Sequence, residues 1–88
     1  MQINYEAMNY PETFVPNHMR GAYQRWIENG IKPGSFGEAL LSNDLKETFG
    51  RADHINKHHI GTTLAWFYNY APCHCWGSPE NVAEWKGL

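Results

Sequence analysis

Residues 43–71 read NDLKETFGRADHINKHHIGTTLAWFYNYA, and this stretch decides the fold. One set of positions recurs at three- or four-residue spacing: Leu45, Phe49, Ala52, Asn56, His59, Ile60, Thr63, Leu64, Phe67 and Ala71. This period is that of one face of an α-helix. Pro72 ends the pattern, because proline lacks a backbone donor and disfavours helical geometry at the residue before it. We therefore predict one long helix over residues 44–71, with a bend at Gly50 or Gly61, or a split near residues 53–56, as variants.

The chain has 88 residues, which is enough for one domain with one core. Phe, Trp and Tyr make up 15% of it. Each of these side chains buries a large area, so together they offset the small core or supply an interface. The formal net charge is −2 with histidine neutral, and the Lys and Arg residues are scattered. Nucleic acid is therefore an unfavoured partner, because its phosphate backbone attracts clustered positive charge.

The N-terminal sequence MQINYEAMNYPE lacks the basic and apolar regions of a signal peptide. No apolar run approaches the ~20 residues that a membrane span requires. Both features favour a cytoplasmic protein with no membrane partner. Met1 and Met8 are both candidate start residues.

The segments around the long helix carry their own signals. Two prolines and mixed polarity predict an extended N-terminal arm over residues 1–16, followed by one helical domain over residues 17–88. Asn17 is the expected N-cap of a helix over residues 18–29, and Gly30 its stop. Ser35 and Glu38 match a capping box, which opens a helix ending at residue 41 or 42.

The last helix is predicted from the run Ser78-Pro79-Glu80. Serine suits the N-cap, proline the first helical position, and an acid the first turn, while Gly87 marks the end. Asp44 repeats the cap arrangement before the long helix. No alternating run supports a strand, so the sequence predicts an all-α domain of about four helices, bundle-like or orthogonal.

Four motifs give the chain a family resemblance: PGxF at residues 33–36, NDL at 43–45, RADxxN at 51–56 and WGSPE at 76–80. In these motifs, and over residues 8–85 as a whole, the chain resembles a family of small phage and prophage proteins of tailed phages of proteobacteria. The resemblance implies the cytoplasm of an infected bacterium as the setting. It also implies action by binding, including against host defence, and it carries no enzymatic activity.

Arg51, Asp53 and Asn56 form the best polar cluster for binding. A guanidinium suits phosphate or carboxylate, and an acid and an amide suit base or sugar edges. Asp53 and Asn56 share a helix face, whereas Arg51 and Asp53 do not face each other. A structural network that ties the long helix to residues 33–36 or to the first helix is the favoured interpretation, because such networks are commoner.

Trp66, Tyr68, Tyr70 and Trp76 are candidates for a platform on which a nucleobase stacks. Core packing is favoured over this interpretation, because a domain this small needs its aromatic side chains inside. In the core-packing interpretation Trp76 folds back as a hydrophobic staple near Val82.

A metal site is a weaker alternative. His54 and His58 are four residues apart and share a helix face, and Cys73 and Cys75 follow the turn. This spacing matches no standard zinc finger, and cysteines so close together rarely form a disulfide. The sequence also has no nucleophile elbow, no phosphate loop and no H-E-x-x-H, so we expect neither enzymatic activity nor a cofactor.

The leading hypothesis is a phage accessory protein that binds a host protein and inhibits a bacterial defence system. The alternative is a protein that sequesters a nucleotide signal, and a zinc-stabilised module on nucleic acid ranks below both. A flat patch centred on Trp or Tyr would favour a protein partner, and a concave pocket where Arg51 and Asn56 converge would favour a nucleotide. A homodimer is expected if the aromatic surface exceeds what one core can hide.

Overall fold

The computed structural model describes residues 2–88, and Met1, one of the two candidate start residues, lies outside them. Its α-helices are α1 (Asn17–Asn29), α2 (Ser35–Leu41), α3 (Leu45–Arg51), α4 (His54–His58), α5 (Ile60–Tyr70) and α6 (Pro79–Glu84). Shorter 3₁₀ helices lie at Tyr5–Asn9, Pro11–Thr13 and Cys73–Cys75. Residues 2–88 contain no β-strand. The predicted all-α class is confirmed, with six short α-helices in place of about four.

The single long helix predicted over residues 44–71 is wrong, because the segment forms three helices, α3, α4 and α5. The variant with a split near residues 53–56 agrees with the first of the two breaks. The first break begins at Ala52, whose ψ of 134° is extended. Beside it, Oδ1 of Asp53 accepts a hydrogen bond of 2.6 Å from the backbone N–H of Asn56. This bond makes Asp53 an N-cap, and an N-cap starts a new helix instead of continuing the old one. The second break lies at His59, with φ −125° and ψ 17°.

The two glycines of this segment do not bend it. Gly50 lies inside α3 and Gly61 inside α5. A Cβ added at either position would meet no atom within 4 Å, so no neighbouring helix packs closely against them. On α3 the predicted apolar face turns outward, since Leu45 and Phe49 are both exposed.

The N-terminal segment is folded into the core, so the prediction of an extended arm is wrong. It forms the first two 3₁₀ helices, and its residues Ala7, Met8 and Val15 are buried. Arg20 of α1 holds the segment in place, because its guanidinium donates to the carbonyls of Met8 and Val15 at 2.9 and 2.7 Å. The same guanidinium lies 5.2 Å from the centre of the Phe14 ring.

Three predicted helix ends are confirmed. Asp44 caps α3 by accepting a bond from the backbone N–H at residue 47, and Ser78 caps α6 in the same way from residue 81. Gly30 ends α1 in the left-handed conformation, with φ 72°.

Two other cap predictions are wrong by one residue. Asn17 and Ser35 are the first residues of α1 and α2, and Pro16 and Gly34 hold the cap positions. Neither of these cap residues makes a side-chain capping bond. At the other end of the chain, α6 finishes at Glu84, three residues before the predicted stop at Gly87.

One core joins these elements. α5 packs against the N-terminal 3₁₀ helices, and α2 packs against α3 and α6. Phe67 lies at its centre, where Tyr23 and Trp66 meet it edge-on with ring centroids 5.0 and 5.1 Å away. The burial of both rings of α5 fixes which face of that helix is left to solvent. Within residues 2–88 no helix combines the length and the apolar character needed to cross a membrane.

Candidate functional site

Asp53, the acid of the predicted polar cluster, is engaged on both carboxylate oxygens. Oδ1 caps α4, and Oδ2 lies 3.0 Å from Nε2 of His18 on α1. The backbone N–H of Asn56 and, after it, His18 hold the pKa of Asp53 below its ordinary value. The carboxylate therefore joins α4 to α1, which is a structural role.

Arg51 and Asn56 do not converge on a pocket. The Arg51 Nε donates to Oε1 of Glu47 at 3.0 Å, and its Nη1 donates to the carbonyl of Ser35 at 3.2 Å. Asn56, a residue of α4, has a buried side chain. These contacts tie α3 to the start of α2, as the structural interpretation of the cluster predicts, and the arrangement expected of a nucleotide site is not formed.

The predicted stacking platform is divided between the core and the surface. Trp66 is buried, and Tyr70 is half-buried against it with ring centroids 6.3 Å apart. Trp76 is half-buried against Phe67 at 5.8 Å. Tyr68, by contrast, is 81% exposed. A base cannot stack on all of these rings at once.

The candidate metal ligands lie on different elements: His54 and His58 on α4, and Cys73 and Cys75 in the turn after α5. The His54 and His58 rings meet edge-on at 4.9 Å on the exposed side of α4. Cys73 is exposed, while Cys75 is buried, and this burial raises the pKa of its thiol to about 12. Across residues 2–88 no three His, Cys, Asp or Glu side chains are grouped so that they could hold a metal ion. The structure therefore does not bring together the residues of the weaker zinc alternative.

The structure has a groove that the sequence did not predict. It runs along α3 and α5 to the Cys73–Cys75 turn and consists of three adjoining hollows, which we call together the apolar groove. The first hollow is lined by Leu40, Asn43, Leu45, Thr48, Ile60 and Leu64. The middle hollow is lined by Asn43, Gly61, Leu64, Ala65, Tyr68, Asn69 and Trp76. The third hollow is lined by Tyr68, Ala71, Cys73, Trp76 and Gly77.

The chemistry of the apolar groove is uniform. None of its lining residues carries a formal charge at neutral pH. Leu45 and Tyr68 project from it, and they are the two most exposed large apolar side chains of the described chain, at 68% and 81%. Gly61 contributes no side chain and so leaves the middle hollow open.

Trp76 differs from the other three tryptophans in its hydrogen bonding. Among residues 2–88 its indole N–H has no acceptor, and its nitrogen is not buried. The other three indoles donate to backbone carbonyls: Trp26 to Cys75 at 2.9 Å, Trp66 to Asn4 at 3.2 Å and Trp85 to Trp26 at 3.0 Å. Trp76 also lines two of the three hollows.

One local signal in the sequence points towards the groove. Asp53 stands three residues before Asn56, a spacing that suits an N-cap. Had this cap been ranked above the apolar period, the segment would have been divided at residue 52. α3 would then have been free to turn Leu45 outward beside α5.

Comparison of the chain with protein-family models, with curated proteins and with solved structures found no match. A functional proposal must therefore start from the residues of the groove itself.

Proposed function

We propose that this protein acts by binding another protein through the apolar groove. The observation that carries the proposal is Tyr68, an aromatic side chain exposed beside Trp76 in a groove without formal charge. Tyrosine and tryptophan are the side chains that most often dominate the energy of protein interfaces. An uncharged lining also avoids the cost of removing unpaired charges from water.

Leu45 and Tyr68 set the scale of the binding energy, since they are 68% and 81% exposed. Full burial of Tyr68 and Leu45 by a partner would contribute about 1.5–3 kcal/mol for each side chain.

The resemblance to small phage proteins extends the proposal to the partner's origin. In this proposal the partner is a host bacterial protein that belongs to a defence system, and binding inhibits it in the cytoplasm of the infected cell. The protein is then not an enzyme, since it acts by covering a surface of its partner.

A capture experiment with matched variants tests the binding proposal. The wild type, Tyr68→Ala and Tyr10→Ala are incubated in turn with host lysate, each tagged at either end, and the retained proteins are quantified by mass spectrometry. Tyr10 is an exposed tyrosine that lines none of the three hollows. We expect a host protein that the wild type and Tyr10→Ala retain and that Tyr68→Ala loses by at least about tenfold. Retention that is equal for all three proteins, or no retained protein, would contradict the proposal.

The role in host defence has a separate test. Bacteria that carry one defence system each are transformed with the wild type or with Tyr68→Ala and infected with a phage that the system restricts. We expect the wild type to restore plaque formation with one system, and Tyr68→Ala not to restore it. Restoration by neither protein across the panel would reject the anti-defence role.

A further inference from the structure

Two histidines lie at the two ends of α4. His54 is its first residue and His58 its last, and both side chains are exposed. Residues four apart share one face of a helix, and these two rings meet edge-on with their centroids 4.9 Å apart. Within residues 2–88 neither ring has a hydrogen-bond partner, whereas Nε2 of His18 lies 3.0 Å from Asp53. The fold therefore leaves the nitrogens of both rings to bind something else.

The spacing of the two rings suits a chelating pair. Zinc binds a histidine nitrogen at about 2.0–2.1 Å, and the centre of the ring lies about 1.2 Å behind that nitrogen. Two imidazoles on one ion, at an angle of about 90–109°, therefore have their centres about 4.5–5.3 Å apart. The separation of 4.9 Å lies in this range. Exposed side chains change rotamer within nanoseconds, so the two nitrogens can turn to a common ion while the backbone of α4 stays in place.

The chemistry of the pair selects the ion. Imidazole suits zinc, copper and nickel, whereas calcium and magnesium prefer oxygen ligands. Residues 2–88 bring no third His, Cys, Asp or Glu to the pair. The neighbouring carboxylate of Asp53 is already engaged by the backbone N–H of Asn56 and by His18. A closed structural zinc site has four protein ligands, so an ion held by two imidazoles keeps water in its other positions.

We propose that His54 and His58 form an open, two-imidazole site for a divalent transition-metal ion such as zinc. The site is separate from the apolar groove, since neither histidine lines any of the three hollows. One ligand begins α4 and the other ends it, so the bound ion clamps the whole helix. The unfolded chain does not hold the two rings on one face. The ion therefore binds the folded protein more tightly and stabilises it.

A titration with zinc chloride tests the site. The uniformly ¹⁵N-labelled protein, without a polyhistidine tag, is titrated with zinc, and the rings of its five histidines are followed in one long-range ¹H–¹⁵N spectrum. We expect the ring signals of His54 and His58 to shift together and saturably, at one zinc per chain. The ring signals of His18, His59 and His74 should stay in place. EDTA should reverse the shift, and magnesium chloride should not produce it.

Variants show whether both rings hold the ion. His54→Gln and His58→Gln each leave one imidazole, so each should weaken zinc binding at least about tenfold, because a chelate gains from the high effective concentration of its second ligand. His74→Gln is the matched control, since it removes an exposed histidine from the turn after α5. It should bind zinc as the wild type does. Zinc should also raise the Tm of the wild type and of His74→Gln, but not that of either α4 variant. The backbone spectrum of each variant shows that it is folded.

Three results would overturn the proposal: no saturable shift of the two ring signals at millimolar zinc, an equal shift of the His74 ring, or zinc binding that survives His54→Gln. A shift confined to His74 would place the ion at the Cys73–Cys75 turn instead. The binding proposal for the apolar groove is judged separately, because the variants that test it, Tyr68→Ala and Tyr10→Ala, leave both histidines of α4 in place.

Discussion

At the residue scale, the two cysteines differ sharply although one residue separates them. The thiolate is the reactive form of cysteine. Burial raises the pKa of Cys75 to about 12, whereas Cys73 is exposed in the third hollow. We expect the native protein to show one fast-reacting thiol with an aromatic disulfide reagent and the denatured protein to show two. Cys73→Ser should abolish the fast reaction, and two fast thiols in the native protein would contradict the prediction.

The carboxylate of Asp53 gives stability a dependence on pH. Its pKa lies below the ordinary 3.8 because of the Asn56 N–H and then His18. A lowered pKa in the folded state means that the stabilisation is complete above about pH 4 and is lost as pH falls through that lowered value. Asp53→Asn keeps a capping side chain but does not ionise.

We therefore expect the wild type to lose more stability than Asp53→Asn between about pH 6 and about pH 2. Urea unfolding of both proteins at the two pH values measures the difference. Equal losses would show that the carboxylate gains nothing from its two partners in the folded state.

Local hydrogen bonds were within reach of the sequence, and distant ones were not. The caps at Asp44 and Ser78 each join a side chain to a backbone N–H three residues away, so a short motif contains both partners. The indole N–H of Trp76, which has no acceptor among residues 2–88, is not marked by any short motif. It becomes informative only when the bonds of the other indoles are known, and each of those reaches across 49 or more residues.

At the scale of elements, the groove depends on a glycine in α5. Gly61 and Gly50 both lie in helices, and a Cβ at either would meet no atom within 4 Å. Alanine at such positions restricts the unfolded chain, so we expect Gly61→Ala and Gly50→Ala each to raise the free energy of unfolding by about 0.5 kcal/mol. Gly61 lines the middle hollow and Gly50 lines none of the three. Gly61→Ala alone should therefore weaken partner capture.

Urea unfolding and the capture experiment together test this pair. Equal binding by both variants would show that the middle hollow is not occupied. A loss of binding with Gly50→Ala would show that the binding surface extends beyond the groove.

The division of the long helix shows how far an apolar period can be taken. The period identifies α5 correctly, since Ile60, Thr63 and Phe67 are buried. The period fails on α3, because the chain breaks at Ala52 and Asp53. After this break the side chains of α3 and α5 no longer share one face, as they would on a continuous helix. The spacing of apolar residues in the sequence is the same whether or not the helix is broken, so this spacing cannot reveal the break. The groove was missed for the same reason.

At the scale of the whole molecule, one chain hides most of its aromatic surface. Only Tyr10, Phe49 and Tyr68 among its aromatic side chains are exposed. The surface of 5189 Å² is close to the roughly 5,300 Å² expected for a compact monomer of this mass. A single copy therefore hides most of its aromatic side chains, and the homodimer stays a prediction.

Tryptophan side chains also hold both ends of the chain to the rest of the fold. Trp66 donates to the carbonyl of Asn4 near the N-terminus, and Trp85 near the C-terminus donates to the last turn of α1. Trp26 joins α1 to the Cys73–Cys75 turn. Three of the four indole N–H groups thus hold distant parts of the fold together, and the Trp76 N–H has no such partner among residues 2–88.

We therefore expect Trp→Phe variants to differ in what they lose: three should lose stability of the fold, and Trp76→Phe should lose binding of the partner. Trp26→Phe, Trp66→Phe and Trp85→Phe each leave a backbone carbonyl without its donor, which should cost about 1–3 kcal/mol of unfolding free energy. Trp76→Phe leaves no acceptor unpaired and keeps the contact with Phe67, so its cost should stay within about 0.5 kcal/mol, as for a surface substitution. Urea unfolding of the four variants measures these costs. If Trp76→Phe proves as destabilising as the others, its indole is part of the scaffold and not of the binding surface. If it is stable but retains less of the captured host protein, its indole serves binding and not the fold.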